Sequence, residues 1–411
     1  MRILQVVSTL APRQGGPSIA CPELSRELVR QGHQVSIYAS DVDGSGHLAV
    51  PLDRPVMDDG VTIRYFRGWS EPSKYMFSPG MWRALRDTVA DFDVVHIYSV
   101  FGFSSSAAAY WCRKRGVPHM VHPHGSLDPF IRRRHRPRKW VHAKLLGERD
   151  YRKATAVLFN SAEEMRLASD WSGLKTPHNG AGPKRFVVPV GLDPKWLQEP
   201  DPVAGERLRN KFPELGGRRL VVYFGRINFK KGLDILARAF AQVARDRQDI
   251  HLVLAGPDSE GYGHKVRGWL AEGGVLEKAT FTGLLEGEYR FAVLQRAEVF
   301  ALPSYTENFG QVVVEAMASR VPVVISDRVN IWPFVQQAEA GVVVPCDAEA
   351  TAEALRSVLA DPVRGKQMGN NGRQWAAEHL LWSAVAAQMA DAYKDLLRVT
   401  AREMEPSRIP L

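Results

Sequence analysis

Short apolar runs alternate with amphipathic stretches from one end of the chain to the other. Residues 3–8, 34–38, 61–66, 94–98, 118–122, 156–159 and 185–189 read as strands, each rich in Val, Ile or aromatic residues and bounded by turn formers. Helical spacing predicts helices over 18–31, 79–90, 104–115, 139–153 and 162–169. Residues 41–59 read as a long polar connection and 171–182 as a Gly-, Pro- and Ser-containing loop. Residues 194–217 read as an interdomain connection with a short helix. The alternation then resumes, with strands at 220–224, 251–255, 279–281, 299–302, 321–325 and 341–344. Helices follow at 233–244, 264–271, 289–295, 311–319, 348–359 and 364–378, and an amphipathic one at 382–398. Strands that are apolar on both faces and alternate with helices imply parallel, doubly wound α/β domains.

Length supports two such domains, since the chain has 411 residues. The composition, 45% hydrophobic and 24% charged, is that of an ordinary globular protein. Three distant cysteines, Cys21, Cys112 and Cys346, form neither a disulfide framework nor a zinc motif, which fits a reducing cytoplasm. The first apolar run is too short for a secretory signal core, and no run approaches the roughly 18 apolar residues of a membrane span. A net charge of +9 points to an anionic partner. The most basic stretch, residues 132–153, contains Arg132, Arg133, Arg134, Arg136, Arg138, Lys139, Lys144, Arg149, Arg152 and Lys153. It is either a solvated helix face or a surface for an anionic membrane leaflet or a lipid-diphosphate acceptor. Its low aromatic content disfavours nucleic acid.

Candidate chemistry gathers on strand-to-helix loops, where open α/β sheets bind ligands. The segment from Leu302 to Ala318 is strand, loop and helix in succession. Glu315 lies among Val312, Val313, Val314, Ala316, Met317 and Ala318, so it is buried. Such a carboxylate is either paired with a buried Arg or bound to ligand hydroxyls. Glu307 lies in the loop before it. After the strand at 220–224 come Gly225, Arg226, Lys230 and Lys231, either solvated charge or a diphosphate clamp. Gly15 and Gly16 lie between the first strand and helix and allow close backbone approach to a ligand, although no Gly-x-Gly-x-x-Gly is present. His96 and His124 end or follow strands, and His122 reads as a local packing residue. Ser161 and Glu164 match a capping box.

Glu307 and Glu315, with seven residues between them filled by Asn308-Phe309-Gly310 and a Val run, resemble the E-x7-E signature of retaining GT-B glycosyltransferases of family 4. Gly-Arg-x4-Lys-Gly at 225–232 resembles the corresponding diphosphate motif, and His124-Gly125 resembles a His-Gly loop beside the transferred sugar. Residues 281–285, ending in Leu285, resemble the segment whose backbone reads the base. Residues 189–193 resemble Pro-Asn-Gly-Val-Asp, with Val190 replacing Asn. Residues 326–331 depart from the familiar glycine pair followed by Pro-Glu.

The resemblance implies two Rossmann-like domains facing across a cleft. Residues 1–195 would bind acceptor and 196–380 the nucleotide-sugar donor, and 381–411 would cross back to the first domain. It implies metal-independent sugar transfer with retention, without a cofactor, onto a glycan or lipid-linked acceptor in bacterial cell-surface or exopolysaccharide synthesis. The enzyme would be cytoplasmic and peripheral to the inner membrane face. Glu307, His124, Arg226 and Lys231 would serve catalysis. Gly15, Gly16, Gly256, Leu285, Asn308, Phe309, Gly310 and Glu315 would complete the donor site. A sugar-nucleotide epimerase and a non-catalytic nucleotide- or nucleic-acid-binding protein are the rival readings.

Overall fold

The computed structural model describes residues 1–69, 75–130, 148–169 and 182–404. Most of the basic stretch at 132–153 and the loop at 171–181 therefore lie outside the described residues. The chain forms two compact units, Met1–Gly191 with Trp382–Leu411, and Leu192–Leu381.

The first unit is built on an eight-stranded sheet. Its strands are β1 (Arg2–Thr9), β2 (Gln34–Ser40), β5 (Pro55–Asp58), β6 (Val61–Phe66), β7 (Val94–Tyr98), β8 (His119–His122), β9 (Ala156–Phe159) and β10 (Lys184–Val187). A small separate hairpin, β3 (Val42–Asp43) and β4 (Gly46–His47), follows β2. The sheet order is β10-β9-β8-β7-β1-β2-β6-β5, with only β5 antiparallel among the described strands. Ile3, Leu4, Val94, Val95 and Ile97 are fully buried, which explains the unbroken apolar runs. The polar connection expected over 41–59 is corrected: it holds the hairpin and edge strand β5, whose half-exposed residues carry little apolar signal.

The second unit has six parallel strands, β11 (Arg219–Phe224), β12 (Ile250–Ala255), β13 (Ala279–Gly283), β14 (Ala297–Leu302), β15 (Val323–Ser326) and β16 (Gly341–Val344). Their order is β13-β12-β11-β14-β15-β16. Strand order reverses between β1 and β7 in one sheet and between β11 and β14 in the other. These reversals are the places where such sheets open a crevice at their carboxyl ends.

The helix Trp382–Met404 belongs to the first unit. Its apolar face, from Trp382 through Val385, Met389, Tyr393 and Leu396, is buried with Leu24 and Leu28 of the helix Gly16–Arg30. Gly191 is held by close approach, because a Cβ there would lie 2.1 Å from the Trp382 indole. No helix among the described residues is long and apolar enough to cross a membrane.

Candidate active site

In the second unit two loops meet beside the reversal of strand order. The loop after β11 begins at Gly225 and ends at Gly232, and the loop after β14 runs from Pro303 to Gly310. Their backbones touch. Tyr305 N–H donates to the Lys230 carbonyl at 2.8 Å, and a Cβ on Gly232 would fall 1.9 Å from the Pro303 carbonyl oxygen. Gly232 also has φ +62°, a conformation costly for any side chain. Gly256 has the same kind of task. Its missing Cβ leaves room for the Gly225 carbonyl oxygen, 1.9 Å from where that Cβ would be. Gly256 thus seats one loop on the next.

This packing brings Lys231 to Glu307, whose carboxylate accepts its ammonium in a partly buried ion pair. Arg226 sits at the other end of the first loop. It is exposed, and its backbone carbonyl is pinned by the Tyr223 hydroxyl at 2.7 Å. Its guanidinium makes no ion pair among the described residues. Glu307 is fixed by its backbone, with its N–H on the Arg328 carbonyl and its carbonyl on Asn330 N–H. Asn308 carries a buried amide oxygen without a partner among the described residues. Phe309 is buried against Phe334, so its ring belongs to the core. Gly310, at φ +73°, caps the helix Gln311–Ala318, and no side chain caps that end. Amides at such an end favour anions.

Glu315 is 4% exposed. One nitrogen of Arg290, Nη2, donates to both of its carboxylate oxygens, at 2.6 and 2.7 Å. Burial pushes the Glu315 carboxyl up to about 7, against the pull of the Arg290 charge. The Arg290 guanidinium also lies over the rings of Trp196 and Phe224, at 5.0 and 5.2 Å from their centroids. Of the two sequence-based readings of Glu315, the Arg pairing is the one formed here. Arg290 was not singled out from the sequence. It lies 25 residues before its partner, and only the fold sets that register. Leu285 is buried while Leu284 is 58% exposed, which leaves the backbone of Leu285 as its only route to a ligand.

In the first unit, Gly15 has φ +93° and opens the helix Gly16–Arg30. Among the described residues, nothing beyond the adjoining backbone lies within 4 Å of the positions a Cβ would take on Gly15 or Gly16. Beside this turn is a cavity of about 230 Å3 lined by Ser8, Thr9, Gln14, Ser18, Tyr98, Ser99 and neighbours. His124 follows β8 with φ +49°, unusual for a side chain larger than glycine. Glu164 holds the next residue, accepting from Gly125 N–H at 2.6 Å and from Asn160 N–H at 2.7 Å. The capping box is thus widened. Ser161 Oγ accepts from Glu164 N–H as expected, while the Glu164 carboxylate returns to Asn160 and reaches across to the His124 loop.

Residues 205–375 match the family described as "Glycosyl transferases group 1", and residues 15–179 match a "Glycosyl transferase 4-like domain". The chain is 27% identical over 408 residues to a GDP-mannose-dependent alpha-(1-6)-phosphatidylinositol monomannoside mannosyltransferase of Mycobacterium tuberculosis, covering 95% of this chain and 97% of that one. It is 26% identical over 431 residues to a D-inositol 3-phosphate glycosyltransferase of Stackebrandtia nassauensis, covering 96% and 90% of the two chains. Among solved structures, sucrose-phosphate synthase from Thermosynechococcus elongatus superposes with a TM-score of 0.75 at 22% identity, covering 97% of this chain and all of that one. Anabaena HepE in complex with UDP and glucose superposes with a TM-score of 0.71 at 18% identity, covering 96% of this chain and all of that one. The two matched segments fall in the two α/β units in order, these two relatives match over at least 90% of each chain, and the shared fold is GT-B. The chain therefore belongs to the group 1 glycosyltransferases of the family 4 type.

Proposed function

We propose that the second unit holds a nucleoside-diphosphate sugar at the carboxyl ends of β11 and β14, and that its sugar passes with retention to a glycan or lipid-linked acceptor. The observation that carries this reading is the pair of touching loops at the strand-order reversal. They present Arg226 with no ion-pair partner among the described residues, the Lys231–Glu307 pair, and the end of the helix Gln311–Ala318 that no side chain caps. As the glycosidic bond breaks, negative charge grows on the leaving diphosphate. Arg226 forks onto phosphate oxygens, Lys231 adds a point charge, and the helix amides complete the cradle. These groups supply the positive charge themselves, so the transfer runs without a metal. Glu307 and the Asn308–Gly310 backbone hold the donor sugar, and Glu315 accepts from the ribose hydroxyls.

The first unit serves the acceptor, and its His124 loop serves the transferred sugar. Two relatives are named for inositol-based acceptors, a phosphatidylinositol monomannoside and D-inositol 3-phosphate, which supports a lipid-linked or glycan acceptor of that kind here. The basic stretch at 132–153 would keep the enzyme at the inner membrane face. Vesicle flotation with and without anionic lipid checks that part.

The test of the reaction is product analysis with GDP-mannose and UDP-glucose as donors and an inositol phosphate or glycan acceptor panel. One donor is consumed only with acceptor, and the new linkage keeps the donor's anomeric configuration. Sugar rearrangement without acceptor, or an inverted linkage, would overturn the proposal.

A further inference from the structure

Behind His124 runs a chain of buried polar groups that ordinary packing does not require. Tyr393, on the helix Trp382–Met404, places its hydroxyl 2.7 Å from His96 Nδ1. His96 Nε2 lies 3.2 Å from His122 Nδ1, and His122 Nε2 lies 3.0 Å from Asn160 Oδ1. The Asn160 amide nitrogen then reaches His124 Nδ1 at 3.5 Å, the longest link. The His122 and His124 rings stack with centroids 3.5 Å apart, and Tyr98 lies nearly parallel to His124 at 5.3 Å. His96 and His122 are 0% and 4% exposed.

A neutral imidazole has one donor and one acceptor, so the chain has a direction. Asn160 sets it, because Oδ1 can only accept and Nδ2 can only donate. His122 must then carry its proton on Nε2 and accept on Nδ1 from His96 Nε2–H. His96 accepts on Nδ1 from the Tyr393 hydroxyl, which in turn accepts from the Gln5 amide nitrogen at 3.5 Å. At the far end Asn160 donates to His124 Nδ1, which leaves the His124 proton on Nε2. That Nε2 is buried and has no partner among the described residues. Reversing the chain would require Asn160 to turn over.

We propose that Asn160, His122, His96 and Tyr393 are positioning residues that lock His124 as its neutral Nε2–H tautomer, making it a hydrogen-bond donor to a ligand oxygen and not a general base. A buried N–H without a partner is costly, and a ligand oxygen relieves that cost. Assigning that oxygen to the transferred sugar rests on the function proposed above. Burial supports the neutral state, holding His96 and His124 down to about 3 and His122 well below its ordinary value. Among the described residues, the groups facing His124 are Tyr98 and His96 from β7, His122 from β8, and Asn160 and Glu164 from the segment after β9. The Glu164 carboxylate is turned onto the backbone N–H groups of Gly125 and Asn160.

The direct experiment is nitrogen-15 NMR of the histidine rings at pH 7, on the full chain without ligand. We expect His124 as a single Nε2–H tautomer. In His122→Phe the Asn160 amide is free to turn, and His124 becomes a mixture of tautomers. A wild-type His124 that is protonated on Nδ1, or doubly protonated, overturns the proposal. So does an unchanged His124 tautomer in a folded His122→Phe or Asn160→Leu protein. In turnover with GDP-mannose or UDP-glucose, whichever is the donor, His124→Gln keeps an N–H donor and stays within about fivefold of wild type. His124→Leu loses at least about tenfold in kcat/KM. Equal losses in the two variants also overturn it. The tautomer is read without ligand, so binding of neither nucleotide sugar would count against the proposed function and leave the relay to be judged on its own spectrum.

Discussion

Glu315 and Arg290 make a buried carboxylate usable. Burial alone would protonate Glu315, and the guanidinium across it draws the group back toward the anion, the form that would accept from ribose hydroxyls in the proposed donor site. The Glu315 pKa is raised from 4.5 to about 7, so between those values the folded state keeps a proton that the unfolded chain has lost. Its contribution to stability is therefore lost as pH rises through that window. Glu315→Gln should flatten this part of the stability profile, which denaturant titrations at pH 5 and pH 7.5 would reveal. Donor affinity has the opposite trend, improving as Glu315 ionises near pH 7. In Arg290→Met that rise should move to higher pH, and an unmoved rise in a donor-binding titration would contradict the pairing. Arg226 offers a sharper loss. If Arg226 binds the donor diphosphate as proposed, Arg226→Ala removes a charged hydrogen bond of about 1.5–3 kcal/mol, so kcat/KM should fall roughly 10- to 100-fold with the melting temperature nearly unchanged. The Glu315 carboxylate stood out in the sequence because six apolar neighbours announce a buried charge. Arg290 did not, because an Arg on an ordinary amphipathic helix carries no mark of its distant partner.

Loops after parallel strands position the site, and glycines set how closely those loops pack. Gly232 is one such case, with positive φ and a carbonyl where its Cβ would be. Gly232→Ala should destabilise the protein by more than about 1 kcal/mol and separate Lys231 from Glu307. Urea denaturation together with donor KM would show both effects, and an unaltered midpoint would contradict the packing described. Apolar strand runs were legible from sequence. The expected ranges 94–98 and 156–159 coincide with β7 and β9, which are buried throughout, and 61–66 and 341–344 coincide with the partly buried β6 and β16. Very short elements and the polar edge strand were not, because a few residues with little apolar burial carry no periodic signal. Edge strand β5, the hairpin β3–β4 and the helix Trp332–Gln337 are of that kind.

At the scale of the molecule, the sequence-legible motifs lie on the carboxyl-end loops of two separate, largely parallel sheets, and the group 1 glycosyltransferase family accounts for both. What no motif revealed is the polar interior of the first unit. Tyr393 and His96 are 297 positions apart in the chain, so only the packing of the last helix brings them together. That interior has a consequence for the whole protein. His96 and His124 are held near 3, His119 near 4, and His122 below its ordinary value, all by burial. Each is neutral in the fold and charges in the unfolded chain below 6.5, so stability is complete above that pH and is lost as pH falls. Between pH 7 and pH 5 the loss is about 2 kcal/mol per independent histidine, opposed by a gain of similar size at Glu315 alone. Denaturant titrations should show a protein clearly less stable at pH 5, and equal stability would contradict the buried cluster.

The most direct measurement of the central claim is calorimetric titration of the wild-type protein, Lys231→Ala and Glu315→Ala with GDP-mannose and UDP-glucose. Wild type should bind one of the two, Lys231→Ala should bind it at least about tenfold more weakly, and Glu315→Ala should weaken binding of the free nucleoside diphosphate as well. Full affinity in both variants would contradict a donor site built on the loops after β11 and β14.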